Sequence, residues 1–317
     1  MSDFIKAEKV VRTSLGLLER EIVLPRLVWR DAGGDFRGAK GDAITLRLPA
    51  YAVAKTRALR SGDSRTKSAL HERKVVVTLD TDVYMDVPVS DEELTLDIED
   101  FGAQVLNPVN AAIARGLEDE LVDTITGADY DLEDAIDLND LKGSFAYARE
   151  CLNKARVPAG GRTMLIGSEV DSALIQVDNL VRYDQSGTTD TLREAMVGRV
   201  YGFDVVVSNE IAPDEAFAFH QTAYVMSSRA PIVPAGAPWG ASNAFAGLAI
   251  RNVRVFDPDE VEDRFIGDAW VGSNIVTDQG TLDESGRFTP SEDPDDTTPT
   301  PTDQKFVRAV HLTGEES

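Results

Sequence analysis

The 317-residue chain is short of the residue types that carry most enzyme chemistry. It has one cysteine and three histidines. A single thiol, Cys151, excludes an internal disulfide and suits synthesis in a reducing cytoplasm. It sits in the helical pattern Ala148-Arg149-Glu150-Cys151-Leu152, where a buried structural thiol is expected and not a nucleophile. His71 lies in a basic stretch, and His220 and His311 lie in strand patterns, so structural roles are expected for all three. Gly-x-Ser-x-Gly, Gly-Lys-Ser/Thr and Gly-x-Gly-x-x-Gly do not occur. No catalytic residues, metal or cofactor are expected. No apolar run approaches the roughly 20 residues needed to cross a bilayer. Met1-Ser2-Asp3-Phe4-Ile5-Lys6 has no apolar signal core, so neither secretion nor a membrane partner is expected.

Charge is plentiful and uneven. The net charge is −23, yet residues 1–75 hold 16 basic and 9 acidic side chains. Residues 76–317 hold 16 basic and 46 acidic ones. The basic surplus concentrates in residues 55–74, at Lys55, Arg57, Arg60, Arg65, Lys67, Arg73 and Lys74, around the Ser61-Gly62-Asp63-Ser64 tip. A basic arm on an acidic body is self-complementary in a head-to-tail array, where charge steers association and sets register. Arg57, Arg60, Arg65, Lys67, Arg73 and Lys74 are therefore the candidate contacts between subunits. The acidic remainder argues against groove reading of nucleic acid. DNA, if enclosed, would be confined and not gripped.

Periodicity outlines the elements. Ile5, Val10, Val11, Leu15, Leu18 and Ile22 predict an amphipathic helix over 2–24, ended by Pro25. Strands are predicted over Ala43–Ala54 and Lys74–Asp80. Ser90-Asp91-Glu92-Glu93 reads as a capping box before a long helix reaching about Thr126. Its stripe is Phe101, Val105, Val109, Ala112, Ile113, Leu117 and Leu121, with Pro108 expected to kink or split it. A second amphipathic helix spans Asp140–Val157. Thr163–Gly167 reads as a buried strand, with Ser168 capping a helix to about Val177. Asn179–Asp190 reads as a polar loop, Leu192–Met196 as a short helix, and Val200–Val207 as a strand. Further strands are predicted over Ala216–Met226, Phe245–Phe256 and Ala269–Val276. Residues 278–303 are acidic and rich in Pro and Thr, a surface loop or excursion. Phe306–Leu312 reads as a last edge strand.

The co-linear set carries a resemblance. Arg162-Thr163-Met164-Leu165-Ile166-Gly167-Ser168, then Leu192 to Val205 ending in Gly202-Phe203-Asp204-Val205, resembles the tailed-bacteriophage major capsid proteins. The pattern is nearest to the Salmonella short-tailed phage coat. The resemblance implies an α+β chain with the HK97-type capsid fold. It implies an N-terminal arm (1–26), an extended β loop lying over an adjacent subunit (27–89) and a peripheral-domain spine helix (90–134). An axial domain (135–250) and peripheral-domain strands (251–277 and 304–317) complete it, with 278–303 as an acidic insertion outside the core pattern. Implied partners are further copies in hexamers and pentamers, a scaffolding protein, a portal and a decoration protein. The implied place is the virion capsid, around double-stranded DNA. The inserted domain of the Salmonella-type coat has no room between Ile211 and Phe245. Some relatives join a Lys to an Asn covalently, which would draw on Lys55 or Lys67 and Asn252; ion pairing is the expectation here.

Two other functions fit the residues. One is an encapsulin-like nanocompartment shell around a cargo enzyme. The other is a metal-dependent hydrolase using the acidic run Asp129–Asp140. There Asp129-x-Asp131-x-Glu133 begins like a calcium loop, but Asp134 stands where Gly belongs and Asp140 where Glu belongs.

Overall fold

Among the described residues, strands outnumber helices, and three of the elements are α-helices. The computed structural model describes residues 23–31, 43–48, 73–90, 107–176, 196–245, 248–259, 262–290 and 304–314, and the single residues 56, 59, 64 and 105. The expected helix over 2–24, except its last two residues, lies outside them, as do the loop 179–190 and most of 55–72.

A 3-10 turn over Leu24–Arg26 leads into β1 (Trp29–Asp31). β2 (Ala43–Leu48) and β3 (Arg73–Thr78) pair as a two-stranded ribbon, and β4 (Thr81–Val89) follows. α1 (Asn107–Thr126) comes next, about 30 Å long at about 1.5 Å per residue. Then come β5 (Glu133–Ala135), α2 (Leu141–Lys154), β6 (Arg162–Ile166) and α3 (Ser168–Ile175). β7 (Met196–Val200), β8 (Phe203–Val207) and β9 (Ala216–His220) precede β10 (Tyr224–Arg229), β11 (Trp239–Phe245), β12 (Leu248–Asp257) and β13 (Glu262–Ile275). The described chain closes with β14 (Asp278–Leu282), β15 (Phe288–Pro290), β16 (Gln304–Lys305) and β17 (Ala309–Thr313).

Contacts divide the chain into two units. The first draws on Met1–Ile44, Val76–Ala128 and Tyr224–Asn274; the second draws on Thr45–Val75, Asp129–Ala223 and Ile275–Ser317. In the first unit a sheet runs β1-β10-β13-β12-β11. The first half of β13 is flanked by β12 on one side and β4 on the other, both antiparallel. α1 covers one face. Its buried residues Val109, Ile113, Leu117 and Leu121 recur every four positions, so one stripe points at the sheet. Small residues let the helix come close: a Cβ on Gly267 would sit 2.8 Å from Val109 Cγ1, and one on Gly116 would sit 2.6 Å from Val83 Cγ1. The Glu118 carboxylate accepts the Val23 and Leu24 N–H groups at 2.5 and 3.1 Å, tying the 3-10 turn to the helix.

The second unit holds a sheet of order β5-β17-β9-β6-β8-β7 and a smaller one of order β15-β14-β16. Every residue of β6 and β9 is buried, the signature of a central strand covered on both faces. α2 starts at Asp140, whose carboxylate accepts the Gly143 N–H at 3.2 Å. Phe145, Ala148 and Leu152 of α2 pack with Met164, Ile166, Phe203, Val205 and Val310 in one core.

Several expectations need correction. The long helix is described only from Asn107, which makes Pro108 the second residue of α1; the stretch before it, on which the expected kink or break at Pro108 depends, lies outside the described residues apart from Val105. Residues 200–207 are a hairpin and not one strand: Tyr201 (φ 49°) and Gly202 (φ 92°) form the two-residue turn between β7 and β8. Met196 opens β7, while 192–195 lie outside the described residues. Ser168 is the first residue of α3 and Gly167 its N-cap, with the Glu169 and Val170 N–H groups donating to the Pro213 carbonyl. Residues 216–226 split into β9 and β10, which join different sheets. The break comes where His220 Nδ1 accepts the Thr222 N–H at 3.2 Å and the His220 carbonyl accepts the Ala223 N–H at 2.7 Å. β17 is no edge strand. It lies between β5 and β9, so residues 304–314 belong with the second unit, and 224–250 with the first. Of the acidic stretch 278–303, residues 278–290 form a β hairpin, with Phe288 buried in the core.

Candidate assembly surfaces

Arg57, Arg60, Arg65 and Lys67 lie outside the described residues, and Arg73 and Lys74 are described only as the backbone of β3. One face of the first unit's sheet is better defined. Cross-strand partners share a sheet face. By register, Asn252 and Gly267 face α1 with Val83, and the opposite face carries Arg251, Asp268, Tyr84, Asp86, Arg264, Trp270 and Asp82. On that second face Arg251 grips Asp268 with Nε and Nη2, and its Nη1 donates to the Ile232 carbonyl at 2.7 Å. Arg264 pairs with Asp86 and Asp257. Planar guanidinium groups span neighbouring strands here as bidentate ties.

Aromatic and apolar side chains stand among these ions. Tyr84 is 67% exposed, Trp270 41% and Ile232 83%. Trp270 lies opposite Asp82, and its indole donates a hydrogen bond to that carboxylate. Burial first, and the Asp268 carboxylate second, push the Asp82 pKa above its ordinary 3.8, against pulls from Arg251 and the indole. A carboxylate with a raised folded pKa costs stability while it is charged. That cost is complete above the raised value and fades as pH falls through it toward 3.8. Asp82→Asn should therefore raise the urea midpoint modestly near neutral pH, with the gap closing as pH falls. A gap that widens on acidification would contradict this assignment.

The remaining sequence candidates have structural work. Burial pushes the Cys151 thiol up, away from a reactive thiolate. His220 is pushed down by burial and then by Arg308, and its Nδ1 accepts the Thr222 N–H. Arg308 bonds both Asp278 and Thr222, joining β14, β17 and the β9 end. His311 stacks on Phe217 at 4.6 Å, between Glu133 and Glu215. The acidic run does not converge. Asp131 takes Lys305 Nζ at 2.8 Å and the Phe306 N–H at 2.7 Å; Asp137 takes the Asn139 N–H; Asp140 caps α2. Among the described residues, no three His, Cys, Asp or Glu side chains form a metal-binding group. Asn252 is fully buried on the α1 side of the sheet, where a neighbour's lysine has no access. Among the described residues, no helix is long and apolar enough to cross a membrane.

The exposed sheet face was missed by the sequence reading, although its signal is there: Asp80, Asp82, Tyr84 and Asp86 alternate with Thr81, Val83, Met85 and Val87.

Comparison with known proteins now bears on the fold. The model of the phage capsid protein family matches residues 75–274. Curated protein sequences yield no match. Among solved structures, one of Mycobacterium phage Che8 is 20% identical with a TM-score of 0.57, covering 92% of this chain and 91% of that one. The capsid of cyanophage P-SCSP1u is 12% identical with a TM-score of 0.59, covering 100% and 91%. A virus-like particle from Pyrococcus furiosus is 9% identical with a TM-score of 0.55, covering 96% and 98%. At these identities the likeness establishes the fold, which is the HK97 type. The family match supports phage capsid proteins broadly and not the narrower Salmonella-type coat. With well over half its length matched, the chain belongs to the phage capsid protein family, the structural proteins of the head shell.

Proposed function

We propose that the chain is the major capsid protein of a tailed phage. Copies gather as hexamers and pentamers into an icosahedral head around double-stranded DNA. The observation that carries this reading is the family match across 75–274, which takes in the whole of β4, α1 and the strands from β5 to β12. The first unit, with the long helix α1, corresponds to the peripheral domain, and the second to the axial domain. Each copy lays its basic segment on the acidic body of the next. DNA is held by confinement, since residues 76–317 repel phosphate. A scaffolding protein, a portal and a decoration protein are the other partners in assembly. Subunits are made in the host cytoplasm.

The likeness to the virus-like particle favours a second reading, a shell around a cargo other than a phage genome. Electron microscopy of the chain expressed alone, and of its native source, tests both. Uniform icosahedra, DNA-filled in the native source, are expected. Native shells filled with protein would select the second reading, and small discrete oligomers from both sources would remove both.

A further inference from the structure

Two arginines of the second unit stand together without a counter-charge. We infer that Arg149 and Arg162, set between α2 and the β7–β8 turn, hold a single small oxyanion, an inorganic phosphate.

The local fold brings the pair together. Arg149 and Asn153 lie four residues apart on α2, on one helix face. Arg162 opens β6 and reaches back to that face, where its Nη2 donates to Asn153 Oδ1 at 2.9 Å. Its Nε donates to the Pro158 carbonyl at 2.8 Å, and Nη2 also to the Val157 carbonyl at 2.6 Å. Arg149 Nη1 donates to the Tyr201 carbonyl at 3.2 Å. A Cβ on Gly202 would sit 3.8 Å from Arg149 Cζ, so that guanidinium lies against the turn.

Every one of these acceptors is neutral. Arg162 is only 3% exposed, yet among the described residues neither arginine pairs with a carboxylate. The acids beside them in sequence are engaged elsewhere: Glu150 meets Lys154 at 2.8 Å, and Asp204 meets Arg199 at 3.7 Å. Burial first, and then the positive Arg149, push the Arg162 guanidinium below its ordinary range. A buried cation facing a like charge is costly, and an anion bound to both relieves that cost. Tying down the chain reversal after α2 accounts for Nε and Nη2 of Arg162. It does not account for Nη1, which has no acceptor among the described residues and is not sealed from solvent. Nor does it account for the second arginine.

Charge and shape select the ion. Guanidinium groups meet phosphate oxygens in paired, charge-assisted hydrogen bonds. A carboxylate of another copy brings one charge to two cations. A polynucleotide brings a run of phosphates against a chain of net charge −23, which a single ion does not.

Inorganic phosphate, a single-stranded DNA oligonucleotide and acetate would each be titrated by calorimetry into the full-length chain at constant ionic strength. Phosphate should bind saturably, at one site per subunit, and raise the thermal midpoint. Arg149→Gln, at an exposed position of α2, should weaken that binding about tenfold or more in a chain that still folds by circular dichroism, with Arg149→Lys weakening it less. Lys142→Gln, the same charge change near the other end of α2, should leave it unaltered. Absence of saturable phosphate binding, binding that Arg149→Gln leaves intact, or an equal loss with Lys142→Gln would each overturn the inference. So would acetate binding as tightly as phosphate, which assigns the pair to a carboxylate of another copy, or an oligonucleotide binding more tightly through Arg149, which assigns it to nucleic acid.

Discussion

Alanine at Gly272 should destabilise the subunit by about 3 kcal/mol or more and abolish shell formation. Gly272 lies in β13, where an added Cβ would run into the Thr78 carbonyl oxygen and carbon and come near Leu79 Cα. Those are backbone atoms of the connection from β3 to β4, so no side chain can swing aside. The connection is also held from both directions. Val271 pairs with Thr81 in the ladder, and Asn274 Nδ2 donates to the Val76 carbonyl at 2.8 Å. The control is Gly236→Ala, in the β10–β11 loop, where an added Cβ meets nothing within 4 Å. That change should stay within about 0.5 kcal/mol of the natural chain. Urea unfolding followed by fluorescence compares them. Equal midpoints would mean that β13 and the β3–β4 connection separate without cost.

Arg57→Glu, Arg60→Glu and Arg65→Glu combined should block assembly or divert it to aberrant particles, with little change in subunit stability. A single exposed ion pair contributes only about 0–1 kcal/mol. A shell repeats each contact in every subunit, and reversal replaces attraction by repulsion at each repeat. The acidic surplus of residues 76–317 makes that repulsion general and not a matter of one partner. Salt should weaken assembly of the natural chain for the same reason, since exposed charges are screened beyond about 8–10 Å near physiological ionic strength. Normal heads from the triple variant, seen by electron microscopy, would rule out charge complementarity as the organising force.

Long regular patterns were legible in the residues. The four-residue recurrence of Val109, Ile113, Leu117 and Leu121 marks the buried stripe of α1, and the polar start of α2 at Asp140 is a real cap. The all-apolar run at β6 marks a central strand. What failed were two local turns and two decisions made by neighbours distant in sequence. Tyr201-Gly202 carries a left-handed turn that a strand-like flank disguised. The division between β9 and β10 depends on a histidine ring bonding two residues ahead, at the polar His220-Gln221-Thr222 between two apolar runs. β17 reads as an edge strand because its short partner β5, Glu133–Ala135, is too acidic and too brief to register as a strand. The exposed sheet face escaped for another reason. Alternation shows that β4 has two faces, but which of them a helix covers depends on Gly267 and Gly116, whose closeness to α1 only the fold reveals. Of the six basic residues singled out, β3 includes Arg73 and Lys74, and the other four lie outside the described residues.

The position of β17 has a consequence for how the protein is made. β17 pairs with β9 along Ala309–Leu312 and with β5 along His311–Thr313, so the second unit's main sheet lacks an interior strand until residue 313 is available. The first unit likewise waits for β13, which ends at Ile275. Ribosomes release about 5–20 residues per second, so for many seconds the nascent chain holds apolar strands with their neighbours still unsynthesised. A stop codon shortly before residue 309 should therefore yield insoluble product and not a smaller functional subunit.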